Sequence, residues 1–415
     1  MFELIGSIRR NRRLLKDFVV RDLKARYVGS SMGFFWSVVF PIINLFVYMF
    51  VFRMVLKARW SDFQGPYEVA IVMLAGIVVW TTFSETISRS TNTLVDNSNL
   101  IQKVVFPSEL LPLYLTISSI INMCIGMPVV ILCVLYFAYI SPPDAELGAP
   151  YFAAEGPGAP ADVVTEGAGA VAFPIRISRG MSHDVEVPFE LSGTAMRGTD
   201  YRLEANSVRI LPGQLQVAAL LYPLANSDGE GEKTVVFTLL KPDGAVLGGT
   251  TVRTVRLVDG GLEAGAGTGA GAEFPAFAPG PMDASYHPLA MGWSLVCLPL
   301  LFVLQVLFTV GLGYFLSTFN LFLRDTFHLV GVGITVWMFG TPIFYPAQMV
   351  ESAGFGWLLQ INPMYWLIDS YRSVLLFAAW PDWWLLGRFA LAGLVTFLVG
   401  GKFFMSQRRR FSDLL

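Results

Sequence analysis

The sequence predicts an α-helical polytopic membrane protein with six transmembrane helices and an inserted all-β sandwich domain. Hydrophobic residues make up 54% of the 415 residues and charged residues only 14%, and the mean hydropathy is +0.56. Soluble domains carry roughly 25% charged residues, so much of this surface must face lipid. Between residues 171 and 259 the apolar residues recur at every second position instead, which is typical of β-strands.

Residues 1–33 form a basic segment that we expect to lie as an amphipathic helix on the cytoplasmic surface of the membrane. Within RDLKARYVGSSMGFFWSVVFP, the charges of Arg21, Lys24 and Arg26 come before a Gly/Ser joint and a long apolar, aromatic run. This order is typical of an interfacial helix followed by a membrane span. Residues 1–30 hold too many charges for the apolar core of a cleavable signal peptide.

Six apolar segments are long enough to cross roughly 30 Å of hydrocarbon. They lie near residues 34–56, 69–88, 110–140, 289–319, 327–345 and 385–405. Residues 34–140 therefore carry the first three predicted transmembrane helices. Residues 289–405 carry the other three.

Lysine and arginine crowd both the N-terminal flank and the tail 406–415. Six spans place both termini on the same side of the membrane, and the positive-inside rule makes that side the cytoplasm. Loop 89–109 and turn 320–326 then face the cytoplasm. Residues 141–288 and 346–384 face outward.

The outward segment 141–288 differs in composition from the rest of the chain. Its edges, 141–170 and 260–288, are dominated by Ala, Gly and Pro, which predicts flexible linkers. Residues 171–259 read as short strands bounded by turn residues: VAFPIRIS, HDVEVPFELS, SVRILPG, QLQVAALLYPL, KTVVFTLLKP and TTVRTVRLVDG. Several such strands in series predict a small β-sandwich.

The sequence contains no GxxxxGK[ST] motif, so we do not expect the chain to bind ATP itself. A membrane-embedded glycosyltransferase or ligase would need outward catalytic carboxylates or a metal site. The outward acids Glu351, Asp369 and Asp382 form no convincing set. We therefore predict a chain that is not an enzyme, holds no cofactor and binds no nucleic acid.

Four motifs resemble the ABC-2 type permease family, in particular its branch that exports O-antigen, capsule and teichoic-acid polysaccharides. They are RDLKARYVGSSMGFFWSVVFP, SNLIQKVVFPSELLP, NLFLRDTFHLV and NPMYWLIDSYRSVLL. The resemblance implies a homodimer in the bacterial inner membrane, a separate ATPase subunit that binds ATP and Mg²⁺, and export of a lipid-linked polysaccharide or related glycoconjugate. Export of drugs or lipids remains the alternative cargo.

Residues within 171–259 resemble the Calx-beta motif, which implies an immunoglobulin-like sandwich. The resemblance rests on VEVPFELSGTAMRGTDYRLEANSVRILPGQ and SDGEGEKTVVFTLLKPDGA. Ordinary members of the permease family lack an insert here. Clustered carboxylates suit Ca²⁺, and the candidate ligands are Asp200, Asp228, Glu230 and Glu232. Solvated acidic turns are the alternative.

The resemblance also implies that loop 89–109 docks the ATPase. The candidate coupling residues are Asn97, Asn99, Leu100, Gln102 and Lys103. An ordinary polar connection is the alternative. In the cytoplasmic turn, Arg324 and Asp325 either hold two spans in register through an ionic contact, reach the ATPase, or remain a solvated pair.

Basic residues at the headgroup level suit the phosphate oxygens of a lipid-linked substrate. The candidates are Arg21, Lys24, Arg26 and Tyr27. A cluster that sets topology and binds membrane lipids is the alternative. The nearby pair Glu85 and Arg89 is expected to be structural.

Residues 346–382 are too polar for a span and rich in Trp, Tyr and Pro, which fits short re-entrant helices. The family resemblance implies an extracytoplasmic gate here. Its candidate residues are Asn362, Pro363, Tyr365, Trp366 and Arg372. An interfacial aromatic belt without a gating role is the alternative.

Overall fold

A computed structural model of the chain divides it into a helical unit and a β unit. The helical unit runs from the N-terminus to residue 60, from 66 to 136 and from 289 to the C-terminus, and the β unit comprises residues 61–65 and 137–288. The structure describes residues 2–27, seven residues between 39 and 51, and 66–103, 106–140, 142–154, 161–178, 184–203, 205–211, 214–225, 231–258, 277–279 and 289–415. Most of the first predicted span, 34–56, lies outside the described residues.

The described part of the helical unit contains long apolar helices and several short ones. Its helices are α1 Phe2–Arg10, α2 Arg12–Tyr27, α3 Pro66–Asp96, α4 Ser98–Lys103, α5 Leu110–Leu135, α6 Leu298–Phe322, α7 Thr326–Phe339, α8 Ala347–Ser352, α9 Gly356–Ile361, α10 Pro363–Leu376, α11 Trp383–Gln407 and α12 Phe411–Leu414. A π-helical turn, Tyr136–Ile140, extends α5, and 3-10 turns at Trp293–Cys297 and Arg408–Arg410 flank α6 and α11.

Four helical segments are long and apolar enough to cross a membrane: Val69–Asp96, Leu110–Ile140, Trp293–Phe322 and Trp383–Leu414. They coincide with the predicted spans near 69–88, 110–140, 289–319 and 385–405, which are confirmed as long apolar helices. The predicted span 327–345 becomes α7, whose 14 residues reach only about 21 Å at 1.5 Å per residue. The count of six spans is therefore not established.

Helix α3 continues beyond the predicted span 69–88 to Asp96, through a polar stretch. The hydroxyl groups of Thr86 and Thr91 donate to the carbonyls of Thr82 and Ile87 in the preceding turn. Polar residues that bond to their own helix do not end it. The predicted loop 89–109 is therefore wrong for its first eight residues, and only residues 97–109, which include α4, connect α3 to α5.

Helix α3 is the most enclosed of the four long helices. The most apolar stretch of Val69–Asp96 is 83% buried, whereas that of Trp383–Leu414 is 28% buried. Helices α6 and α11 meet at two glycines, because a Cβ atom on Gly400 would lie 2.0 Å from the carbonyl oxygen of Gly311. Such small-residue contacts let membrane helices approach backbone to backbone.

The β unit is a two-sheet sandwich. Its strands are β1 Asp144–Leu147, β2 Tyr151–Phe152, β3 Val163–Thr165, β4 Val171–Ile177, β5 Val185–Gly193, β6 Tyr201–Arg202, β7 Ser207–Ile210, β8 Gln216–Pro223, β9 Lys233–Leu239, β10 Val246–Leu247, β11 Val252–Val258 and β12 Phe277–Pro279. One sheet has the order β10-β1-β4-β8-β12, with β2 on β4 and β6 on β8, and the other has the order β3-β11-β9-β5-β7.

The core of the β unit lies between the two sheets. Phe173 of one sheet stacks on Phe237 of the other at 4.7 Å between ring centroids, and Phe189 stacks on Phe237 at 4.3 Å. The alternating burial of β5 and β9 produces this core. All six strands expected within 171–259 form, so the predicted sandwich is confirmed.

The prediction that residues 141–170 are a flexible linker is wrong for the parts that form β1, β2 and β3. Strand β1 pairs with β4 and β10, and β3 pairs with β11. Ala145, Leu147 and Val164 are fully or almost fully buried. These strands have two to four residues, so their period of two is lost among Ala, Gly and Pro. In the other predicted linker, 260–288, residues 277–279 form β12, and apart from them the linker lies outside the described residues.

Candidate functional site

A network of charged side chains joins helix α2 to helices α3 and α5. Asp22 of α2 is only 10% exposed and accepts hydrogen bonds from Arg89 of α3, one of them at 3.4 Å. It also accepts a hydrogen bond from the hydroxyl group of Ser118 on α5. These contacts join residues that are 67 and 96 positions apart in the sequence, so they fix α2 against the two long helices.

Arg26 completes this network. Its Nε lies 3.2 Å from Asp22, and its Nη2 lies 2.8 Å from Glu85 Oε1 and donates to Ser119 Oγ at 3.2 Å. We call the six residues Asp22, Arg26, Glu85, Arg89, Ser118 and Ser119 the Asp22 network. Two acids and two bases balance within it, so no net charge remains where the three helices meet.

The pKa of Asp22 reports on the network. Burial of the carboxyl group raises this pKa, but the hydrogen bonds from Arg89 and Ser118 and the charges of Arg89 and Arg26 outweigh burial. The pKa therefore lies below its usual value, and Asp22 stays ionised at neutral pH as the acceptor that the network requires.

The residues predicted to guide a substrate phosphate differ in their surroundings. Arg26 is occupied by Asp22, Glu85 and Ser119. Arg21 lies over the ring of Phe18 at 4.5 Å and Lys24 is exposed. Tyr27 ends α2, and its side chain lies outside the described residues.

Helix α4 carries the residues predicted to dock an ATPase and is amphipathic. Asn99, Gln102 and Lys103 are exposed. Leu100, with Ile101, packs against a buried core that includes Phe18 of α2 and Leu94 of α3. Asn97 donates its side-chain amide to the carbonyl of Thr93 at 2.8 Å and so closes the end of α3. The five predicted residues therefore divide into an outward polar face, one inward anchor and one cap.

The turn between α6 and α7 contains Arg324 and Asp325, and both are exposed. Among the ion pairs of the described residues, none joins these two side chains. The predicted ionic contact between the spans is therefore not formed. The turn is instead closed by the backbone N–H of Thr326, which donates to the carbonyl of Leu323 at 3.0 Å.

Asn362 joins α10 to the end of α7. It precedes Pro363 and caps α10, because its Oδ1 accepts from the backbone N–H groups of Met364 at 3.1 Å and Tyr365 at 3.3 Å. The same oxygen accepts from Trp337 Nε1 at 2.9 Å, and Nδ2 donates to the Gly340 carbonyl and Thr341 Oγ1. The side-chain amide of Asn362, a residue that is 4% exposed, therefore both accepts and donates hydrogen bonds.

Arg372 of α10 is 7% exposed and joins three segments through neutral acceptors. Its guanidinium group donates to the backbone carbonyls of Val72 in α3 at 3.2 Å, Pro342 at 2.8 Å and Ile343 at 3.0 Å. Gly76 leaves the space for it, since a Cβ atom there would lie 2.9 Å from Arg372 Nη2. We call Asn362, Arg372 and their partners the Arg372 hub.

Tryptophans near the hub fall into two groups. Trp366 is buried, donates from Nε1 to the carbonyl of Leu359 at 3.0 Å and lies under the guanidinium group of Arg388 at 4.4 Å. In contrast, more than half of the surface of Trp357, Trp380, Trp383 and Trp384 is exposed. Trp366 is thus held in the interior by Leu359 and Arg388, whereas the exposed rings have the exposure expected of an interfacial aromatic belt.

Two of the four predicted calcium ligands, Asp200 and Glu232, lie in the described residues, and each has a basic partner. Asp200 is fully buried, lies 2.8 Å from Lys233 Nζ and accepts from the backbone N–H of Met196 at 2.6 Å. Glu232 pairs with Arg256 at 3.2 Å. Asp228 and Glu230 lie outside the described residues. No group of three possible metal ligands occurs in the described part of the chain. Within that part, the carboxylate of Asp200 binds Lys233 and the backbone of Met196.

Sequence reasoning missed Asp22, the centre of the network, because the neighbouring basic residues dominated the segment. A signal was available: an acid four positions before Arg26 on a helix is an i,i+4 pair. Glu109, which is fully buried and 3.4 Å from Arg408, was also missed. Its partner lies almost 300 residues away, and local pattern does not reveal such a pair.

Comparison with known families decides the class of this chain. Residues 14–153 and 284–376 match the ABC-2 type transporter family, and they make up more than half of the chain. The chain belongs to the ABC-2 type transporter family. It is an integral membrane protein and a transport subunit rather than an enzyme. The family match skips the middle of the β unit and ends within α10, so α11 and the C-terminal tail lie outside it.

Two similar proteins are O-antigen export system permeases named RfbA. The protein from Myxococcus xanthus is 20% identical over 414 residues, which cover 100% of this chain and 99% of that protein. The protein from Klebsiella pneumoniae is 27% identical over 126 residues, 30% of this chain and 46% of that protein. Among solved structures, the apo-form Calx CBD1 domain is 21% identical with a TM-score of 0.23, covering 28% of this chain and 99% of that domain.

Proposed function

We propose that this chain is the permease subunit of an ATP-driven exporter that moves a lipid-linked polysaccharide or a related glycoconjugate across the bacterial inner membrane. The observation that carries the proposal is the alignment with the Myxococcus xanthus O-antigen export permease. It runs over 100% of this chain, through the helical unit and the β unit alike. A cargo of the same chemical class accounts for this likeness.

Energy for export comes from a separate ATPase subunit, which holds ATP and Mg²⁺. We propose that this subunit docks on the exposed face of α4, formed by Asn99, Gln102 and Lys103. Leu100 and Ile101 hold that helix on the core of the helical unit. A push on α4 would therefore reach α2 and α3, which share this core.

Helix α3 is the proposed route from the ATPase to the gate. Glu85 and Arg89 of α3 belong to the Asp22 network, and Val72 and Gly76 of α3 contact Arg372 in the hub. Glu85 lies 13 positions after Val72, which corresponds to about 20 Å along the helix. A rigid helix of this length would transmit a displacement of the network to the Arg372 hub, which we propose as the gate.

Assembly and orientation follow from the same proposal. Two copies of the chain and two ATPase subunits form the exporter. Both termini lie in the cytoplasm, since lysine and arginine crowd both. The β unit lies outside the cytoplasm, where it could meet the emerging glycan. The connection between α3 and α5, residues 97–109, and turn 320–326 lie inside.

The cargo is tested by deleting the gene from cells that make a lipid-linked surface polysaccharide. We expect the surface polysaccharide to disappear and its lipid-linked form to accumulate in the inner membrane, as detected by immunoblot of separated fractions. Unchanged surface polysaccharide together with increased sensitivity to drugs would favour the alternative cargo class. The wild-type gene on a plasmid is the control.

The docking face is tested by replacing Asn99, Gln102 and Lys103 together with alanine. We expect the ATPase to be lost when the permease is purified from membranes, while the permease itself accumulates normally. The matched control replaces Gln348, Glu351 and Ser352, which are exposed on α8, another six-residue helix. Retention of the ATPase by the α4 variant would rule out docking on this face.

A further inference from the structure

The C-terminal tail, Arg408–Leu415, lies against the helix proposed to dock the ATPase. Helix α12 contacts α4 within the helical unit. Phe411 is 1% exposed, and Leu414 and Leu415 pack against the same core as Leu100 and Ile101 of α4. The tail therefore closes the apolar core on which α4 rests. Since the family match ends at residue 376, this support belongs to the part of the chain outside the match.

A buried carboxylate holds the tail. Glu109 directly precedes α5 and is fully buried, and its Oε1 lies 3.4 Å from Arg408 Nη1. Within the described residues neither carboxylate oxygen accepts a hydrogen bond. Arg408 is thus the ion partner that the structure provides for this charge. A buried charge that loses its partner is strongly unfavourable, so Glu109 favours the conformation in which the tail is docked.

The backbone of Glu109 is fixed as well. The hydroxyl group of Tyr314 on α6 donates to its carbonyl oxygen at 2.8 Å. Tyr314 is fully buried and packs on Phe404 of α11, whose ring meets Phe411 edge-on at 5.0 Å. Glu109 is the last residue of the connection 97–109. Its backbone joins this connection to α6, and its side chain joins it to the tail.

The three consecutive arginines of the tail differ in their surroundings. Arg408 is 37% exposed and turns toward Glu109, whereas Arg409 and Arg410 are exposed. We propose that the tail Arg408–Leu415, held by the Glu109–Arg408 ion pair, positions α4 for the ATPase, with Glu109 and Arg408 as positioning residues. This inference rests on the proposed docking of an ATPase on α4.

The experiment measures how much ATPase is retained when the full-length permease is purified from membranes. Arg408→Ala and a truncation after Gln407 should each lower the amount of ATPase retained per permease about tenfold. Arg409→Ala and Arg410→Ala, which remove the same charge from exposed positions, should leave it within about twofold. Glu109→Gln in the Arg408→Ala background should restore part of the loss, since it removes the buried unpaired charge.

Normal ATPase retention and normal export by the truncated permease would overturn the inference. If the truncated chain fails to accumulate, Arg408→Gln replaces it, and amide hydrogen exchange of residues 98–103 is measured in the permease alone. We expect faster exchange there than in Arg409→Gln, and equal exchange would also overturn the inference.

The α4 triple-alanine variant separates this inference from the proposed function. If that variant retains the ATPase, docking on α4 is wrong. If it releases the ATPase while the tail variants do not, only the role of the tail is wrong.

Discussion

The Asp22 network and the Arg372 hub both hold helix α3 to its neighbours, but they satisfy their arginines differently. In the network, Arg89 and Arg26 face the side chains of Asp22 and Glu85. In the hub, Arg372 donates to three backbone carbonyls. Removing one side chain can be compensated by removing its partner in the network. A backbone carbonyl cannot be removed by substitution, so the loss of these three hydrogen bonds cannot be compensated in the same way.

The largest effect is expected from Arg372→Ala. It leaves the carbonyls of Val72, Pro342 and Ile343 without this donor, and we expect the free energy of unfolding to fall by about 3–5 kcal/mol. Arg372→Lys should rescue little, because a single ammonium group does not reproduce the guanidinium fork. Thermal unfolding of the purified permease in detergent measures both. Arg388→Ala is the control, with a loss of about 1 kcal/mol from its contact with Trp366.

Asn362→Ala tests the other half of the hub. We expect a loss of about 2–3 kcal/mol, which combines a lost helix cap with the unpaired Trp337 N–H group and Gly340 carbonyl. Asp382 is the matched control, since it caps α11 in the same way but is exposed. Asp382→Ala should cost only about 1 kcal/mol. Equal shifts in the unfolding temperature of the two variants would contradict the cross-linking role of Asn362.

The network predicts compensation instead. Asp22→Asn and Arg89→Gln should each lower stability by about 1–3 kcal/mol, since the pair is only partly exposed. The double variant should lose clearly less than the sum of the two. Asp17→Asn, which removes an exposed acid from the same helix, should have almost no effect. Additive losses in a double-mutant cycle would mean that Asp22 and Arg89 do not act as a pair.

The smallest effect is expected in the turn between α6 and α7. Arg324→Ala and Asp325→Ala should each change stability by less than about 0.5 kcal/mol, because both side chains are exposed. Export measured in cells should also remain at the wild-type level. A strong export defect with normal stability would point to a contact between this turn and the ATPase.

Much of the fold could be predicted from local sequence, but the short strands β1 and β3 could not. The long apolar helices and the six central strands follow from hydropathy and from the period of two. Strands β1 and β3 could not be found that way, because four and three residues among Ala, Gly and Pro carry no usable period. Their register depends on β4 and β11, which lie far along the chain.

The candidate site shows the same division. Asn362 and Arg372 could be named from a motif, yet the motif does not indicate that one caps α10 against α7 or that the other donates to the carbonyl of Val72, 300 residues away. For Asp200, an acidic turn suggested a metal, whereas burial beside Lys233 makes it half of an ion pair.

The sequence by itself determined the class of this protein: apolar segments of membrane-spanning length, a basic entry helix and an alternating middle. These properties are local, because the hydropathy of neighbouring residues decides whether a segment faces lipid or forms a half-buried strand. Only the tertiary structure decided that Asp22 binds Arg89, that Leu100 faces the core while Lys103 faces out, and that Glu109 meets Arg408. Pairing of charges and packing against a shared core depend on distances in space, and residues far apart in sequence set those distances only after the chain has folded.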